Sequence, residues 1–232
     1  MLVFFRQALI FLCHIIESIL FPPDCLLCGK AEQNYLCASC YCEIKKEAIF
    51  KIEDKIEKEI FFDKHLYAFF YQGKIKTLLT QFKFQDKSYL YLLFAKILIK
   101  NKKLCGFLEK YDIIMPVPIH KKRKVQRGYN QSELICTELV RLMRENKIGT
   151  IQLEKNCLQK IKNNLPQSSL NKKERVENVK QAYHIIHPDN IKGKKIILLD
   201  DIYTTGSTVN ACAKLLKEKG AKTILVVTIA KD

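Results

Sequence analysis

Apolar residues occur along the chain in two patterns, which are continuous runs and helical spacing. Unbroken apolar runs at residues 196–199 and 223–229 are typical of strands buried in a parallel sheet. Between them, apolar residues three and four positions apart predict one face of a helix, namely Val209, Cys212, Ala213 and Leu216. Gly220 is suited to end that helix. This stretch is therefore predicted to form a strand, a crossover helix and a parallel strand.

The same two patterns of apolar residues occur earlier in the chain. Strands are predicted at residues 66–71, 112–115 and 182–186, and a helix is predicted to begin near Ser132. Two helical stripes precede that helix, comprising Ile75, Leu78, Leu79 and Phe82, then Leu90, Leu93, Phe94 and Ile97. The charged residues 45–65 predict a helix and a linker. The fold class is α/β, with a parallel twisted sheet flanked by helices.

The segment after the 196–199 strand has the highest concentration of candidate ligand-binding side chains in the sequence. Asp200 and Asp201 end the strand, and a hydroxyl-rich turn then opens the helix, comprising Thr204, Thr205, Gly206, Ser207 and Thr208. Backbone N–H groups at a helix start favour a phosphate. Carboxylates suit sugar hydroxyls or a divalent cation such as magnesium. Together these groups predict a site for a phosphorylated ribose.

Three other interpretations of this turn are weaker. No Lys follows Gly206, as a Walker loop requires, and a dinucleotide fingerprint needs more glycines than the one present. A plain helix cap after a buried strand would explain Ser or Thr, but not the adjacent acidic pair.

Two Cys-x2-Cys pairs lie near the N-terminus. Cys25 and Cys28 form the first pair, and Cys37 and Cys40 form the second. Four thiolates at this spacing predict a structural zinc site, with Cys42 as an alternative to Cys40. A thioredoxin-like redox pair is disfavoured, because no strand–helix context surrounds either pair. The scattered remaining cysteines, of ten in all, favour a reducing, cytoplasmic location.

Residues 1–21 form an apolar segment interrupted by Arg6, His14 and Glu17. These interruptions disfavour a membrane span, and no small-residue cleavage site precedes the two prolines that follow. We expect an amphipathic helix packed on the protein, with a helix lying on a membrane surface as the alternative.

The chain of 232 residues has a formal net charge of +16, which favours anionic partners. Its most basic segment spans residues 121–127 and contains Lys121, Lys122, Arg123, Lys124 and Arg127. It follows a proline-bounded turn at residues 116–118, where N–H groups would face a second anion. The interpretations left open are a solvated basic loop, a pyrophosphate contact centred on Arg127, and a polyanion site for single-stranded DNA. His120 is either a general base or a structural residue.

The motifs together resemble a known family. The 200–208 turn resembles the phosphoribosyl-pyrophosphate (PRPP) motif of type I phosphoribosyltransferases. The order of motifs along the whole chain is similar to that of the ComF family of competence-associated proteins. After a four-Cys element, these motifs are Tyr71-Gln-Gly-Lys, Pro116-Val-Pro118, Arg127-Gly-Tyr-Asn-Gln131, Pro166-Gln167 with Arg175 and Asn178, and the 200–208 turn.

The resemblance implies a type I phosphoribosyltransferase-like domain at residues 61–232 with a small hood, after an N-terminal helix and zinc ribbon at residues 1–60. PRPP would bind with magnesium. Its 5-phosphate would lie on residues 204–208, and its ribose would lie on Asp200 and Asp201, which are also the candidate catalytic residues. Val117, Pro118 and Arg127 would face the pyrophosphate, and residues 160–178 would form a lid.

The resemblance also implies a role in natural transformation and DNA uptake, with single-stranded DNA and inner-membrane DNA-uptake machinery as partners. The location implied is cytoplasmic, with peripheral association at the inner membrane as a second option. An active phosphoribosyltransferase of nucleotide metabolism is the alternative function. Neither catalytic turnover nor the oligomeric state follows from the sequence.

Overall fold

The computed structural model describes residues 24–31, 35–54, 59–162 and 182–232. The chain divides into two compact units, Met1–Glu47 and Ala48–Asp232. The predicted N-terminal helix at residues 1–21 lies outside the described residues, and so do the Pro166-Gln167 pair, Arg175 and Asn178. Among the described residues, no helix has the length and apolar character needed to cross a membrane.

The first unit contains helix α1 (Ala38–Glu47) and a short loop closed by backbone bonds. The amide of Cys25 donates to the Lys30 carbonyl at 2.8 Å, and the amide of Gly29 donates to the Cys25 carbonyl at 2.8 Å. These bonds bend the first Cys-x2-Cys pair into a tight turn.

The second unit is built on strands and helices that alternate along the chain. Its described strands are β1 (Lys51–Asp54), β2 (Lys64–Phe70), β3 (Ile113–Pro116), β4 (Gln152–Leu153), β5 (Leu158–Lys160), β6 (Tyr183–Ile185), β7 (Lys195–Tyr203) and β8 (Thr223–Lys231). Its described helices are α2 (Gly73–Phe84), α3 (Leu90–Ile99), α4 (Lys102–Lys110), α5 (Lys121–Arg127), α6 (Gln131–Glu145) and α7 (Ser207–Glu218), with a 3-10 turn at Pro188–Asn190.

Six strands form one sheet in the order β1-β2-β8-β7-β3-β4. Strand β1 is antiparallel to β2, and the other neighbouring pairs are parallel. Strands β5 and β6 form a separate antiparallel pair. The predicted parallel sheet and the β7–α7–β8 crossover are confirmed.

The core lies on both faces of the central strands. Ile196 and Leu198 of β7 pack in a hydrophobic cluster with Val209, Cys212 and Leu216 of α7. The alternate residues of β7 are also fully buried, because helices cover the opposite face. This burial on both faces explains the unbroken apolar run in the sequence.

Strand β1 occupies part of the segment that was predicted to be helix and linker, so that prediction was wrong for residues 51–54. The strand is charged because it lies at the edge of the sheet, where one face meets water. Glu53 accepts from the Tyr67 hydroxyl at 3.1 Å and pairs with Lys231 at 2.6 Å, which anchors the strand to its neighbours. The pairing of β1 with β2 includes residues 51–54 in the second unit, before the boundary predicted at residue 60.

Segment 121–127 is a helix, so the solvated basic loop, one of the three interpretations that the sequence left open, is wrong. The ring nitrogen Nδ1 of His120 accepts a bond from the Lys122 amide at 3.2 Å and so caps the helix. Lys and Arg are good helix formers, and the helix ends at Gly128. His120 therefore has a structural role.

The sheet order reverses between β3 and β7. From β3 the chain crosses to β4 on one side, and from β7 it crosses to β8 on the other side. Such a point opens a crevice beyond the carboxyl ends of the two strands, where ligands of α/β sheets bind. In this chain the crevice lies between the 117–118 turn and the 200–206 segment.

Candidate functional site

Asp200 and Asp201 lie near the carboxyl end of β7, which continues to Tyr203 instead of ending at the acidic pair as predicted. Their side chains contact different partners. The Ser132 hydroxyl donates to Asp200 Oδ1 at 3.2 Å, and the Asp201 amide donates to the same oxygen at 2.9 Å. Asp201 instead pairs with Lys83, with 2.9 Å between Oδ1 and Nζ. The division follows from the strand, since successive side chains point to opposite faces. Each carboxylate therefore has its own surroundings at the edge of the crevice.

Asp200 is held in a setting that disfavours its charge. Burial of the carboxyl group and the neighbouring Asp201 carboxylate raise the pKa of Asp200 to about 7. Lys83 and the hydrogen bonds from the Asp201 amide and Ser132 act in the opposite direction. A bound cation would favour the ionised form for the same electrostatic reason. The pair is therefore suited to a ligand that brings positive charge or hydroxyl donors.

Lys83 and Arg127 supply positive charge beside Asp201. Burial lowers the pKa of Arg127, and the Asp201 carboxylate opposes that shift. Arg127 is held in place by a bond from Nη1 to Gln131 Oε1 at 2.8 Å. From the sequence, Lys83 is expected on the solvated side of α2, with a place along an anion groove as the alternative. Its position one residue after the apolar helical stripe of α2 was the available signal, but a lysine there is usually solvated.

The Arg127–Gln131 motif holds three elements together. The Tyr129 hydroxyl and the Gln131 amide group both donate to the Phe82 carbonyl, at 2.6 and 2.9 Å. Asn130 donates to the Val117 carbonyl at 3.0 Å and accepts from the amide of Ser132 at 3.1 Å. The Phe82 carbonyl belongs to the last turn of α2, where such groups lack helical partners. The motif thereby positions the α2 end that carries Lys83, and the α6 start that carries Ser132, against the acidic pair.

The hydroxyl-rich turn lies where the sequence predicted it. Thr204, Thr205 and Ser207 are exposed, and Thr208 is half-buried. Helix α7 begins at Ser207 after the cap residue Gly206, and the Ser207 amide donates to the Thr205 hydroxyl at 3.4 Å. The Thr205 and Ser207 hydroxyls lie 2.8 Å apart. The turn therefore presents hydroxyls and first-turn amides at the positive end of a helix.

The turn at residues 117–118 differs from the sequence expectation in its backbone bonds. The Val117 amide donates to the Leu199 carbonyl at 2.8 Å, and the Val117 carbonyl accepts from Asn130. Pro118 has no N–H group. Neither residue therefore has an amide available for an anion, and an amide contact from this turn would have to come from residues after Pro118. That this turn lies beside the pyrophosphate stays a prediction.

Helix α5 divides the predicted basic segment between two faces. Arg123 and Arg127, four residues apart, line a cavity together with Lys83. Lys121 and Lys124, three residues apart, line a second groove beside Pro118. Both Lys155 and Lys160, which the sequence analysis did not select, also line that groove. A basic loop could present all of its cations in one continuous strip. In the helix, the cations that line the cavity and those that line the groove lie on different faces.

The four predicted cysteine ligands converge in the first unit. The Sγ atoms of Cys25, Cys28, Cys37 and Cys40 all lie within 4.8 Å of one another. Cys28 and Cys37 are 3.8 Å apart, close to the separation of about 3.8 Å that a tetrahedral site with zinc–sulfur bonds of about 2.3 Å requires. The first, third and fourth cysteines are buried, whereas Cys42 is exposed and outside the cluster. The donor set therefore fits zinc, with Cys40 as the fourth ligand.

One thiol of the cluster is already biased toward the thiolate. Burial opposes ionisation of Cys25, but backbone N–H groups of Cys37, Leu27 and Cys28 outweigh it and hold the pKa of this thiol at about 6. Burial and the neighbouring sulfurs raise the pKa of Cys40. Four sulfur atoms this close favour a shared cation, because a metal ion relieves their mutual repulsion.

Comparison with known proteins gives a family match in the C-terminal part of the second unit. The family model described as the phosphoribosyl transferase domain matches residues 156–232, which include the acidic pair and the hydroxyl-rich turn. The match, together with the observed sheet, confirms the predicted fold class.

Between two thirds and nine tenths of the chain is similar to several bacterial proteins. It is 28% identical over 215 residues to competence protein F of Haemophilus influenzae, covering 90% of this chain and 85% of that protein. It is 26% identical over 205 residues to competence protein ComFC of Bacillus subtilis, covering 84% and 72%. It is 29% identical over 160 residues to the DNA utilization protein YhgH of Escherichia coli strain K12, covering 67% and 66%. These relatives, at 26–29% identity, confirm the resemblance noted in the sequence.

Proposed function

We propose that the crevice between β3 and β7 binds magnesium–PRPP. The acidic pair near the end of β7, followed by a hydroxyl-rich turn that leads into the start of α7, carries this proposal. The 5-phosphate lies on residues 204–208, where hydroxyls and amides converge. Asp200 and Asp201 hold the ribose hydroxyls or the magnesium ion. Arg127 and the segment after Val117 and Pro118 lie on the pyrophosphate side.

Each group of the protein at this site would contribute to binding or stabilising a particular part of PRPP. Magnesium, held by the carboxylates of Asp200 or Asp201, would supply positive charge to the pyrophosphate. The first turn of α7 binds the phosphate that does not react, and so orients the sugar. The carboxylate of Asp201, with Lys83 beside it, keeps negative charge near the ribose ring, where positive charge develops if the pyrophosphate leaves.

Calorimetric titration with magnesium–PRPP tests the site. We expect Asp200→Asn plus Asp201→Asn to weaken binding by roughly tenfold or more, which is at least 1.4 kcal/mol. The matched control is Asp189→Asn, an exposed acid in the 3-10 turn, which should bind as the unaltered chain does. Equal affinity of the double variant and the control would refute the proposal.

We propose further that the protein acts in DNA uptake during natural transformation and contacts single-stranded DNA through α5. The names of the competence relatives support the role, and the cationic surface of α5 supports the contact. Lys121, Lys122 and Arg123 are exposed at the start of this helix and available to phosphates. Assembly with inner-membrane DNA-uptake machinery stays a prediction.

Affinity for a single-stranded oligonucleotide, measured by fluorescence anisotropy at several salt concentrations, tests this contact. Each phosphate contact contributes about 0.7 to the slope of log K against log salt for single strands. We expect Lys121→Gln plus Lys122→Gln to lower the slope by about 1.4. Lys96→Gln, an exposed lysine of α3, should leave the slope unchanged. A slope that is flat in the unaltered chain would exclude binding through phosphates.

A second candidate function is transfer of phosphoribose to an acceptor. A cavity with a volume of about 360 Å³ supports it, because the cavity is lined by Lys83, which contacts Asp201, and its volume is in the range of small-molecule sites. Release of pyrophosphate from magnesium–PRPP, measured across candidate acceptors, tests turnover. Release no faster than in the Asp200→Asn plus Asp201→Asn variant would exclude it.

A further inference from the structure

The hydroxyl-rich turn at the start of α7 packs on the ring of Tyr203, the last residue of β7. Gly206 is buried, although Thr205 and Ser207 on either side of it are exposed. A side chain at position 206 would overlap the hydroxyl group and the ring of Tyr203, so the backbone of the turn lies directly against this ring. The ring therefore supports the turn from within, while the hydroxyls stay exposed.

Two buried aromatic side chains fix the position of the Tyr203 ring. The His65 ring stacks on it, with 4.3 Å between ring centres and 28° between ring planes. Phe62 packs edge-on against it, with 6.4 Å between ring centres. His65 is itself held by Thr228, whose hydroxyl oxygen lies 2.9 Å from Nε2. A ring packed among buried neighbours has little freedom to change its rotamer.

An ion pair and the backbone of β8 hold the same residue. Lys231 Nζ lies 5.9 Å from the centre of the Tyr203 ring and 2.6 Å from Glu53 Oε2. Tyr203 is opposite Lys231 in the register of β7 and β8, and its carbonyl accepts from the Asp232 amide at 2.9 Å. Tyr203 is thus held through both its backbone and its side chain, and its support reaches across the sheet to β1.

A turn that is already fixed binds a phosphate more tightly than one that must be ordered on binding. A phosphate at a helix start is held by several N–H groups, which have to point at it together. The cost of ordering a mobile turn would be subtracted from the affinity. Gly206, with a φ of +71°, gives the backbone the conformation it needs but adds no stiffness. The packed ring of Tyr203 supplies the stiffness that the glycine lacks.

We infer that Tyr203 is a positioning residue for the 5-phosphate, and that His65 acts through Tyr203. The inference rests on the proposed PRPP site. Tyr203 acts by fixing the amides and hydroxyls of residues 204–208, which contact the phosphate. Its effect is confined to one half of the ligand, because Arg127 and the segment after Pro118, on the pyrophosphate side, belong to other elements.

Ribose 5-phosphate and magnesium pyrophosphate probe the two halves of the site separately. The affinity of the full chain for each is measured by calorimetry. We expect Tyr203→Leu to weaken ribose 5-phosphate binding by roughly tenfold and to change magnesium pyrophosphate binding by less than about twofold. Tyr203→Phe keeps the ring and should bind both ligands as the unaltered chain does. His65→Ala should weaken ribose 5-phosphate binding by roughly fivefold, and His65→Phe, which keeps a ring for stacking, should restore most of it.

Tyr111→Leu is the matched control for a general loss of stability. Tyr111 is half-buried, as Tyr203 is, and packs on Phe107 with 6.0 Å between ring centres. It precedes β3 and therefore lies at the amino edge of the parallel strands, opposite the edge that carries the turn. This variant should bind both ligands as the unaltered chain does, even where urea denaturation shows a loss of stability similar to that of Tyr203→Leu.

Ribose 5-phosphate affinity that is unchanged in Tyr203→Leu would overturn the inference. So would an equal loss of affinity for both ligands in that variant, or an equal loss in Tyr111→Leu, because either result would mark a general effect on folding. In these cases the PRPP site stands, since the unaltered chain binds its ligands. No binding of ribose 5-phosphate to the unaltered chain would instead refute the proposed PRPP site, and the inference with it.

Discussion

The ring of Tyr203 fills the space next to Gly206. A Cβ atom at position 206 would overlap the Tyr203 hydroxyl group and ring, and Gly206 has a φ of +71°. The glycine is therefore required for two independent reasons, the close approach of the tyrosine and the left-handed backbone. Because Gly206 is the cap residue of α7, this relationship shapes the proposed phosphate-binding turn.

Gly206→Ala should distort this turn and destabilise the protein. We expect a loss of roughly 2–4 kcal/mol in the free energy of unfolding, measured by urea denaturation, since backbone strain and overlap add. Gly193→Ala is the matched control, because Gly193 has a φ of +72° but no atom within 4 Å of a new Cβ. It should cost only about 1–2 kcal/mol. Equal losses would mean that the contact with Tyr203 does not matter.

His65 should make stability depend on pH. It is buried, stacks on Tyr203 with ring centres 4.3 Å apart, and shares a hydrogen bond of 2.9 Å with the Thr228 hydroxyl. Burial lowers the pKa of His65 to about 4, below the unfolded value of about 6.5. Its contribution is therefore fully present above pH 6.5, and up to roughly 3 kcal/mol is lost as the pH falls toward 4.

Urea denaturation at pH 7.5 and pH 4.5 measures this dependence. His65→Gln keeps a donor for Thr228 but cannot ionise. We expect the variant to be less stable than the unaltered chain at pH 7.5, with the difference shrinking at pH 4.5. Parallel losses of stability in both proteins would show that another group controls the response.

The ion pair of Lys83 with Asp201 should be worth more than a surface pair. Lys83→Met leaves the Asp201 carboxylate buried without its nearest cation, and we expect roughly 2–3 kcal/mol of destabilisation at pH 7. Lys51→Met, which removes an exposed partner 3.8 Å from Glu53, serves as the control and should cost less than about 0.5 kcal/mol. A result in which the two substitutions cost the same would contradict the structural account of the acidic pair.

The cysteine cluster should hold one zinc ion per chain. Elemental analysis of the purified protein should find it, and Cys37→Ser should lose most of it, because three thiolates bind zinc less tightly than four. Cys42→Ser removes a neighbouring exposed thiol outside the cluster and should keep full zinc content. Zinc loss in both variants would show that the cluster is assigned incorrectly.

Local signals in the sequence were enough to identify the main parts of the fold. The β7–α7–β8 crossover was predictable because its strands are buried on both faces and its helix has one apolar face. The cysteine ligands were predictable because metal spacing is local. Strand β1 could not be predicted from local sequence, because its pairing with β2 and the ion pair of Glu53 with Lys231 depend on other parts of the chain.

The sequence by itself determined which groups surround the proposed ligand at the end of β7, because Asp200, Asp201 and Gly206 are close together in the chain. The tertiary structure decided what those groups contact. Lys83 is 118 positions before Asp201 and Ser132 is 68 positions before Asp200, yet they form the ion pair and the hydrogen bond of the acidic pair. Helix α5 likewise turned one basic run into two separate faces. Local residues specify strands, turns and helix starts, but only packing brings distant side chains within bonding distance.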